Sequence, residues 1–320
     1  SRGLGDVYKR QVPVKVKNFE WKTIFNWSKN NSMVESLPEG IDKIQIGSGV
    51  YNVKSYAEVG KPYGAIYAKT FKRDAEGYIL CQLDGSPKEG QDYEYLGCVQ
   101  ADWRGGWNNV FRLGNFSFSV MFDFQKGGKF FSQTSIQSSV DGQSVKSLEG
   151  RDADFFSRKI LGESDEERYG FMRPQNANTP TANGQVYPDW GRPKGVVLPN
   201  CRYDEDVEGL AGQQVLGYCT PERYWMHYTS RDISRFIYDA SYVKLREITV
   251  SYDLPKKWLR KTPFQTFRVA AVGRNIATLF ANTPHGLDPQ ATSTTGNAQG
   301  FERGFNLPSA TYGFDIKVSF

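Results

Sequence analysis

Apolar and polar residues alternate along several stretches of this chain. Between residues 116 and 125 the even-numbered positions are all apolar, and the odd-numbered positions are polar except for Met121. The apolar side chains are Phe116, Phe118, Val120, Phe122 and Phe124. Residues 19–28 and 311–320 show the same period of two. This period predicts β-strands with one apolar and one polar face.

The alternating stretches are long for strands of a soluble protein. Each covers roughly ten residues, whereas a typical strand in a globular domain has about five or six. A tilted strand needs roughly 9–11 residues to cross a bilayer. The length therefore favours the wall of an antiparallel transmembrane β-barrel over a soluble β-sandwich.

The predicted connections have two sizes. Leu113-Gly114-Asn115 and Lys17-Asn18 read as tight turns between strands. Polar stretches at about residues 141–234 and 282–306 are instead long and rich in turn-forming residues. Short turns at one end and long extracellular loops at the other are typical of outer-membrane barrels.

One predicted strand changes phase in its middle. Apolar side chains occupy odd positions at Val243 and Leu245 but even positions from Ile248 onward. One extra residue near Arg246-Glu247 would restore the phase, which predicts a β-bulge. Residues 254–259 then read as a turn with a short helical piece, and the next strand begins at Phe267.

Six motifs occur in an order that is similar to one known family. They are residues 59–64, 102–107, 123–128 and 240–256, followed by Gly273-Arg274-Asn275 and Gly286-Leu287-Asp288-Pro289. Together they resemble the C-terminal part of SusC/RagA-type TonB-linked outer-membrane transporters. The resemblance covers residues 12–320. With about nine to eleven candidate strands, it implies an incomplete all-β barrel wall, roughly the C-terminal half of a 22-stranded barrel.

The resemblance also implies a function and partners. Such transporters import nutrients, here an oligosaccharide or a peptide, across the outer membrane. A SusD-type surface lipoprotein, the TonB complex, the barrel-assembly machinery and outer-membrane lipid are the implied partners. The plug domain and the segment that contacts TonB have no counterpart in these residues.

Residues 1–11 differ in character from the rest of the chain. Asp6-Val7-Tyr8-Lys9-Arg10-Gln11 resembles a translated sequencing-adaptor end, so the authentic chain is expected to start near Val12. We therefore expect residues 1–11 to make no consistent contacts with the sheet.

Charge and composition exclude several other functions. The 40 basic residues are spread along the chain against 35 acidic ones, so they form no stripe for nucleic acid. The two histidines, His227 and His285, lie outside any nucleophile motif, which predicts neither catalysis nor a cofactor. Asp204, Asp206 and Glu208 imitate the start of a calcium loop. Because Val215 stands where that loop needs a bidentate glutamate, a solvated acidic loop without metal is favoured.

The cysteines leave alternatives open. Cys201 and Cys219 bracket one loop segment, and an oxidising envelope permits a disulfide between them, although free thiols are favoured. Cys81 and Cys98 flank a hairpin-like segment or are small strand residues.

Two groups of residues are candidate functional residues. Loop aromatics are candidates for contact with substrate or partner, because exposed rings stack on sugars and anchor interfaces. The alternative is that they pack the loop on itself or belong to the aromatic girdle at the membrane interface. They are Tyr187, Trp190, Tyr224, Trp225 and Tyr228. The last strand is a candidate barrel-assembly signal through Tyr312, Phe314, Ile316, Val318 and Phe320.

Two other functional classes fit parts of the pattern. A passive outer-membrane porin or adhesin would need no plug. A soluble carbohydrate-binding β-sandwich would explain the 14% aromatic content, but its strands would be shorter.

Overall fold

The computed structural model describes residues 4–149, 196–219, 221–284, 286–292, 299–304 and 309–320. Its strands are β1 (Leu4–Val16), β2 (Phe19–Asn30), β3 (Lys43–Ser48), β4 (Lys54–Glu58), β5 (Ala65–Ala68), β6 (Ile79–Cys81), β7 (Glu94–Cys98), β8 (Trp103–Leu113), β9 (Phe116–Lys126), β10 (Lys129–Ser132), β11 (Val196–Tyr203), β12 (Gln214–Cys219), β13 (Ile237–Asp239), β14 (Tyr242–Asp253), β15 (Thr266–Ala281), β16 (Phe301–Glu302) and β17 (Thr311–Ser319). Helices α1 (Gln133–Val140), α2 (Pro221–Arg223) and α3 (Lys256–Leu259) join a π-helical turn at Tyr224–Tyr228 and 3-10 turns at Val145–Leu148, Thr229–Arg231 and Ile233–Phe236. In these residues no helix has the length and apolar character needed to cross a membrane.

The long alternating stretches form one antiparallel sheet of seven strands, in the order β1-β2-β8-β9-β14-β15-β17. Its register aligns apolar positions across every strand. One such row is Val14, Trp21, Phe111, Phe118, Val250, Ala271 and Phe314. The neighbouring row, on the opposite face, is Lys15, Glu20, Arg112, Ser117, Ser251, Ala270 and Asp315. The sheet therefore has one apolar face and one largely polar face, as the alternation predicts.

Aromatic rings reinforce the apolar face. The Trp21 and Phe111 rings stack with centroids 5.9 Å apart, and the Phe111 and Phe118 rings stack at 6.2 Å. The face also holds Asn109, whose side-chain oxygen accepts a hydrogen bond of 3.1 Å from the Trp21 indole N–H. A side-chain amide without a hydrogen-bond partner would cost free energy on an apolar surface, and the hydrogen bond from the Trp21 indole reduces this cost for Asn109.

Connections are short at one end of the sheet and long at the other. Residues 17–18, 114–115 and 254–265 turn at one end, and helix α3 lies in the last of these as predicted. The described parts of residues 31–102, 127–241 and 282–310 make the long excursions at the opposite end. The predicted bulge is also confirmed, since the register of β14 shifts between Leu245 and Glu247 against both neighbours.

The predicted strand number was too high. Instead of about nine to eleven, seven strands form the wall within the described residues. The others build three small sheets among the long excursions, with orders β3-β4-β5-β7, β12-β11-β6 and β13-β10-β16. These strands have at most eight residues, and all four side chains of β5 are buried. These strands are too short to span a bilayer, so they are not part of the wall. They belong to a packed assembly at the end of the wall, which we call the rim.

Two buried clusters hold the rim assembly together. One contains Phe71, Tyr203, Val215 and Trp225, and the other contains Val53, Ile66, Phe131, Ile136 and Phe301. Both clusters combine residues from distant excursions. The described parts of the long loops therefore form a folded layer at one end of the wall.

The expectation that residues 1–11 lack contacts with the sheet was wrong. Leu4 to Gln11 pair with Asn30 to Thr23 as the first part of β1. The described side chains of this segment are exposed, so backbone hydrogen bonds hold it at the sheet edge. A segment of any origin can add to an edge through backbone hydrogen bonds, and the adaptor origin stays a prediction.

Candidate functional site on the polar face of the sheet

Charged side chains on the polar face are paired with partners on neighbouring strands. Asp253 accepts hydrogen bonds from Arg268 at 2.6 and 2.8 Å, and from Arg112 at 3.2 Å. Arg274 lies 3.0 Å from Glu247. The polar face is thus a surface of charges held in place by cross-strand pairs.

A denser network lies where the polar face meets the long loops. Lys244 of β14 has a side chain only 5% exposed, and its Nζ donates to both carboxylate oxygens of Asp288 at 2.6 and 2.5 Å. It also donates to the side-chain oxygen of Gln290 at 3.0 Å. The ammonium group therefore has three acceptors, all from the loop after β15.

Arg246 connects the same loop to two wall strands. Its guanidinium donates to Asp123 of β9, to Gln290 at 2.8 Å and to the side-chain oxygen of Asn275 at 2.6 Å. Gln290 in turn donates to the Tyr242 hydroxyl at 2.6 Å. Every polar group in the centre of this network has a partner, as buried polar networks require.

The β-bulge explains how the network is built. Glu247 pairs with Arg274 whereas Leu245 pairs with Ala277, so the partner strand also carries extra residues there. Among these is Asn275, whose φ of 51° lies in the left-handed region that asparagine tolerates better than most residues. The bulge and Asn275 together bring Arg246 and Asn275 into contact on the polar face.

Three of the motifs therefore meet in space. Residues 240–256 supply Lys244 and Arg246, the Gly273-Arg274-Asn275 motif supplies Arg274 and Asn275, and Gly286-Leu287-Asp288-Pro289 supplies Asp288. A cavity of about 360 Å³ adjoins them, with Arg104, Gln125, Lys129 and Thr292 in its lining. These contacts hold the loop after β15 against the wall, and the polar cavity lies beside this loop.

The motif at residues 102–107 has a packing role on the other face. A Cβ at Gly105 would lie 2.2 Å from the Phe124 ring, so only glycine lets that ring lie across β8. Phe124 there contacts Trp103 edge to face at 5.8 Å. This motif and the one at residues 123–128 thus stabilise the aromatic end of the apolar face.

The predicted contact aromatics are buried where the structure describes them. Tyr224, Trp225 and Tyr228 are at most 3% exposed, inside the first rim cluster. The Trp225 indole donates to the Glu149 carbonyl at 3.1 Å, and Arg223 donates to the Tyr228 hydroxyl at 3.1 Å. These contacts correspond to the alternative in which the loop packs on itself. Tyr187 and Trp190 lie outside the described residues.

The acidic segment is less solvated than predicted. Asp204 is 1% exposed and pairs with Lys72 at 2.8 Å and Lys88 at 2.6 Å, whereas Asp206 and Glu208 are exposed. Burial by itself would raise the pKa of Asp204, but hydrogen bonds from the two lysines lower it to about 2. The expectation of solvation fails at Asp204 because two lysines from the first excursion converge on it.

None of the four cysteines forms a disulfide in the structure. Cys81, Cys201 and Cys219 are buried in the first rim cluster, and Cys98 is half-buried. A hydrogen bond with Cys201, together with burial, raises the pKa of Cys81, and burial raises that of Cys219. Cys81 and Cys219 are therefore neutral packing groups. His227 is exposed, and His285 lies outside the described residues.

The candidate assembly strand, β17, lies at the edge of the wall and pairs only with β15 among the described strands. Tyr312, Phe314, Ile316 and Phe320 are 63–86% exposed. The Phe320 ring contacts Phe264 at 5.3 Å. The exposed row is available for contact with lipid or another strand, and its signalling role stays a prediction.

Sequence reasoning missed the network around Lys244. The alternation shows that Lys244 and Asp123 occupy polar-face positions, and this signal was readable. Their partners Asp288 and Gln290 lie more than 40 residues from Lys244, on a loop without periodicity. Only the fold brings them together.

Comparison with known proteins agrees with this architecture. No family model matches the chain. TonB-dependent receptor P3 of Formosa agariphila is 23% identical over 318 residues, which cover 92% of this chain and 26% of the receptor. The chain thus spans about a quarter of the length of this relative.

Solved structures show the same fold. The structure of the RagAB peptide transporter aligns with 98% of this chain over 29% of the transporter chain, at a TM-score of 0.52 and 15% sequence identity. The RagAB peptide importer in its closed-closed state covers 97% of this chain, also at 0.52 and 15%. The predicted resemblance to part of a SusC/RagA-type TonB-dependent receptor is confirmed, with its barrel-wall fold and outer-membrane location. These relatives are a receptor and transporters rather than enzymes.

Proposed function

We propose that the complete protein is a TonB-dependent importer that moves a nutrient across the outer membrane. This chain contributes lipid contact, part of the lumen surface and the extracellular rim. The observation that carries the proposal is the pair of unlike rows across all seven wall strands, one apolar and one polar. A transmembrane barrel needs such a wall because its outside meets hydrocarbon and its inside meets water.

The charged network supports transport rather than adhesion alone. Arg246 and Lys244 fix the loop after β15 on the polar face, at the end where a substrate enters from outside. A lumen that carries ordered charges and a recess beside its entrance suits a polar cargo. The cargo we propose is an oligosaccharide or a peptide; a peptide is the cargo named for RagAB.

Partners follow from the same proposal. A SusD-type lipoprotein would cover the rim formed by the long excursions. The TonB complex would act through a plug domain, and the assembly machinery would recognise β17 through Tyr312, Phe314, Ile316, Val318 and Phe320. Each partner is testable separately from transport.

The test is uptake by cells that express the full-length gene. Labelled peptides and oligosaccharides are supplied to cells with and without a functional TonB complex. We expect accumulation of at least one class, and its loss without TonB. Uptake that persists without TonB would identify a passive porin instead, and cell attachment without any uptake would identify an adhesin.

A further inference from the structure

The sheet β3-β4-β5-β7 at the rim has two different faces. Val53, just before β4, and Ile66 of β5 lie in the second buried cluster. The opposite face carries tyrosines on three adjacent strands, because Tyr67 pairs with Tyr95 and lies diagonal to Tyr56. The Tyr56 and Tyr67 rings are 5.2 Å apart, and the Tyr67 and Tyr95 rings 5.7 Å.

Three lysines lie among these rings. Lys43 Nζ is 5.4 Å from the Tyr56 ring centre and 5.2 Å from that of Tyr67. Lys61 Nζ is 5.1 and 4.5 Å from the centres of Tyr67 and Tyr95. We name this surface the tyrosine–lysine face. It comprises Lys43, Lys54, Tyr56, Glu58, Lys61, Tyr67, Tyr93 and Tyr95.

The tyrosine–lysine face carries a positive excess. Its three ammonium groups stand against one carboxylate, that of Glu58, which lies 3.0 Å from Lys61 and accepts a hydrogen bond from Tyr67. Lys54 is 4.2 Å from the Tyr93 ring centre. A hydrogen bond with Tyr93 raises the pKa of Lys54, and one with Tyr67 raises that of Lys61. Both lysines therefore stay charged at physiological pH.

The contacts already made around Glu58 show what this surface accepts. A carboxylate there receives one ammonium and one phenol donor. Lys43 is exposed and has no carboxylate partner among the described residues, and Tyr95 is 42% exposed. Among the described residues, Lys43 and Lys54 have no carboxylate partner, and cations of this kind beside an exposed aromatic ring match a ligand with both an anionic group and a flat apolar surface.

We propose that the tyrosine–lysine face binds an anionic oligosaccharide, one whose sugar rings carry carboxylate or sulfate groups. The C–H face of a sugar ring packs on Tyr95, and the anionic groups pair with Lys43 and Lys54. An acidic peptide would satisfy the lysines but would not need the ring, so the tyrosine favours a sugar. The tyrosine–lysine face lies on the excursion of residues 31–102, at the same end of the wall as the loop after β15.

The inference rests on the proposed function only for its biological use, as capture of cargo before import. Binding itself needs neither TonB nor transport. Failure of binding in a protein that imports nutrients would overturn this inference alone. Failure of uptake with intact binding would overturn the importer and leave the site.

The experiment is titration of purified full-length protein with defined oligosaccharides. Oligogalacturonate and a sulfated galactan fragment are the anionic probes, a malto-oligosaccharide is the neutral probe, and poly-glutamate is the acidic peptide. We expect at least one anionic sugar to bind about tenfold more tightly than the neutral one, with affinity that falls as salt rises. Lys43→Met with Lys54→Met should weaken anionic binding by about tenfold, and Tyr95→Ala should weaken it too.

A matched control lies elsewhere on the rim. Lys146 Nζ is 5.6 Å from the Tyr238 ring centre, a lysine–tyrosine contact outside the face, so Lys146→Met should leave binding unchanged. Equal binding of poly-glutamate, or no effect of Tyr95→Ala, would reduce the face to a simple charge patch and overturn the proposal. Absence of binding by both anionic sugars would overturn it as well.

Discussion

Removing one partner of the Lys244–Asp288 pair should release the loop after β15 from the wall. The Lys244 side chain is 5% exposed and that of Asp288 is 19% exposed. Loss of one member of a buried pair typically costs about 3–5 kcal/mol, because the other charge stays buried without a partner. Asp288→Asn leaves the more deeply buried group unpaired, so we expect about 4–5 kcal/mol for it and about 3 kcal/mol for Lys244→Met.

Hydrogen exchange on the full-length protein in detergent measures this loss locally. The Ala291 amide donates to the Asp288 carbonyl at 3.0 Å, so its exchange reports opening of the loop. A cost of about 3 kcal/mol corresponds to an opening constant raised on the order of 100-fold. Lys257→Met, at an exposed site on α3, is the control and should leave the exchange unchanged.

The double variant separates an unpaired charge from lost packing. Lys244→Met with Asp288→Leu removes both charges, and such replacements are often close to neutral. We expect its loop to exchange within about tenfold of the unaltered protein. If the double variant is as open as the sum of the single variants, the pair does not hold the loop and the reasoning is refuted.

Three further predictions concern other parts of the molecule. Val120→Arg should destabilise the assembled protein by about 2–4 kcal/mol if the site lies near the bilayer midplane, whereas Ser119→Arg on the polar face should not. Chemical unfolding of the two variants in bilayers measures this difference, and equal losses of stability would contradict the assignment of the faces. Because the pKa of Asp204 is lowered to about 2, its ionised form contributes about 2 kcal/mol to the stability of the rim above pH 4, and this contribution is lost as the pH falls towards 2. Asp204→Asn should remove this part of the pH dependence of hydrogen exchange in the rim, and an unchanged pH dependence would contradict the prediction. Deletion of Phe320 in the full-length protein should abolish outer-membrane insertion, whereas Phe264→Ala, which removes the same ring contact, should preserve it. If the deletion variant reaches the outer membrane at normal abundance, Phe320 has only a packing role.

The wall was predictable because each of its strands carries its own signal. Alternation over ten residues identifies Phe116 to Phe124 as one face without knowledge of any neighbour. Even the bulge was readable, since Leu245 and Ile248 differ in phase. The property that determines the fold of each strand is therefore local in sequence.

The rim was not predictable in the same way. Strands such as β5 and β6 have three or four residues, too few to show a period, and the neighbour of β6 is β11 of another excursion. Trp225 and Tyr224 looked like surface aromatics because the sequence around them is polar. The long-range cluster with Phe71 and Tyr203 buries them, and such contacts leave no pattern along the chain.

The bulge at Arg246 determines which face of the wall Glu247 and all later residues of β14 occupy. With the extra residue, Ile248, Val250 and Tyr252 lie opposite Val120, Phe118 and Phe116 on the apolar face. Deletion of Arg246 removes the extra residue and joins Leu245 directly to Glu247, so Glu247, Thr249 and Ser251 keep their places on the polar face. Arg246→Gly keeps the residue count and loses only the contacts to Asp123, Asn275 and Gln290. We therefore expect both the deletion variant and the glycine variant to assemble, as judged by the heat-dependent electrophoretic shift of the full-length protein, and both to have a loosened loop. Failure of the deletion variant to assemble would contradict the assignment of Arg246 as the extra residue of the bulge.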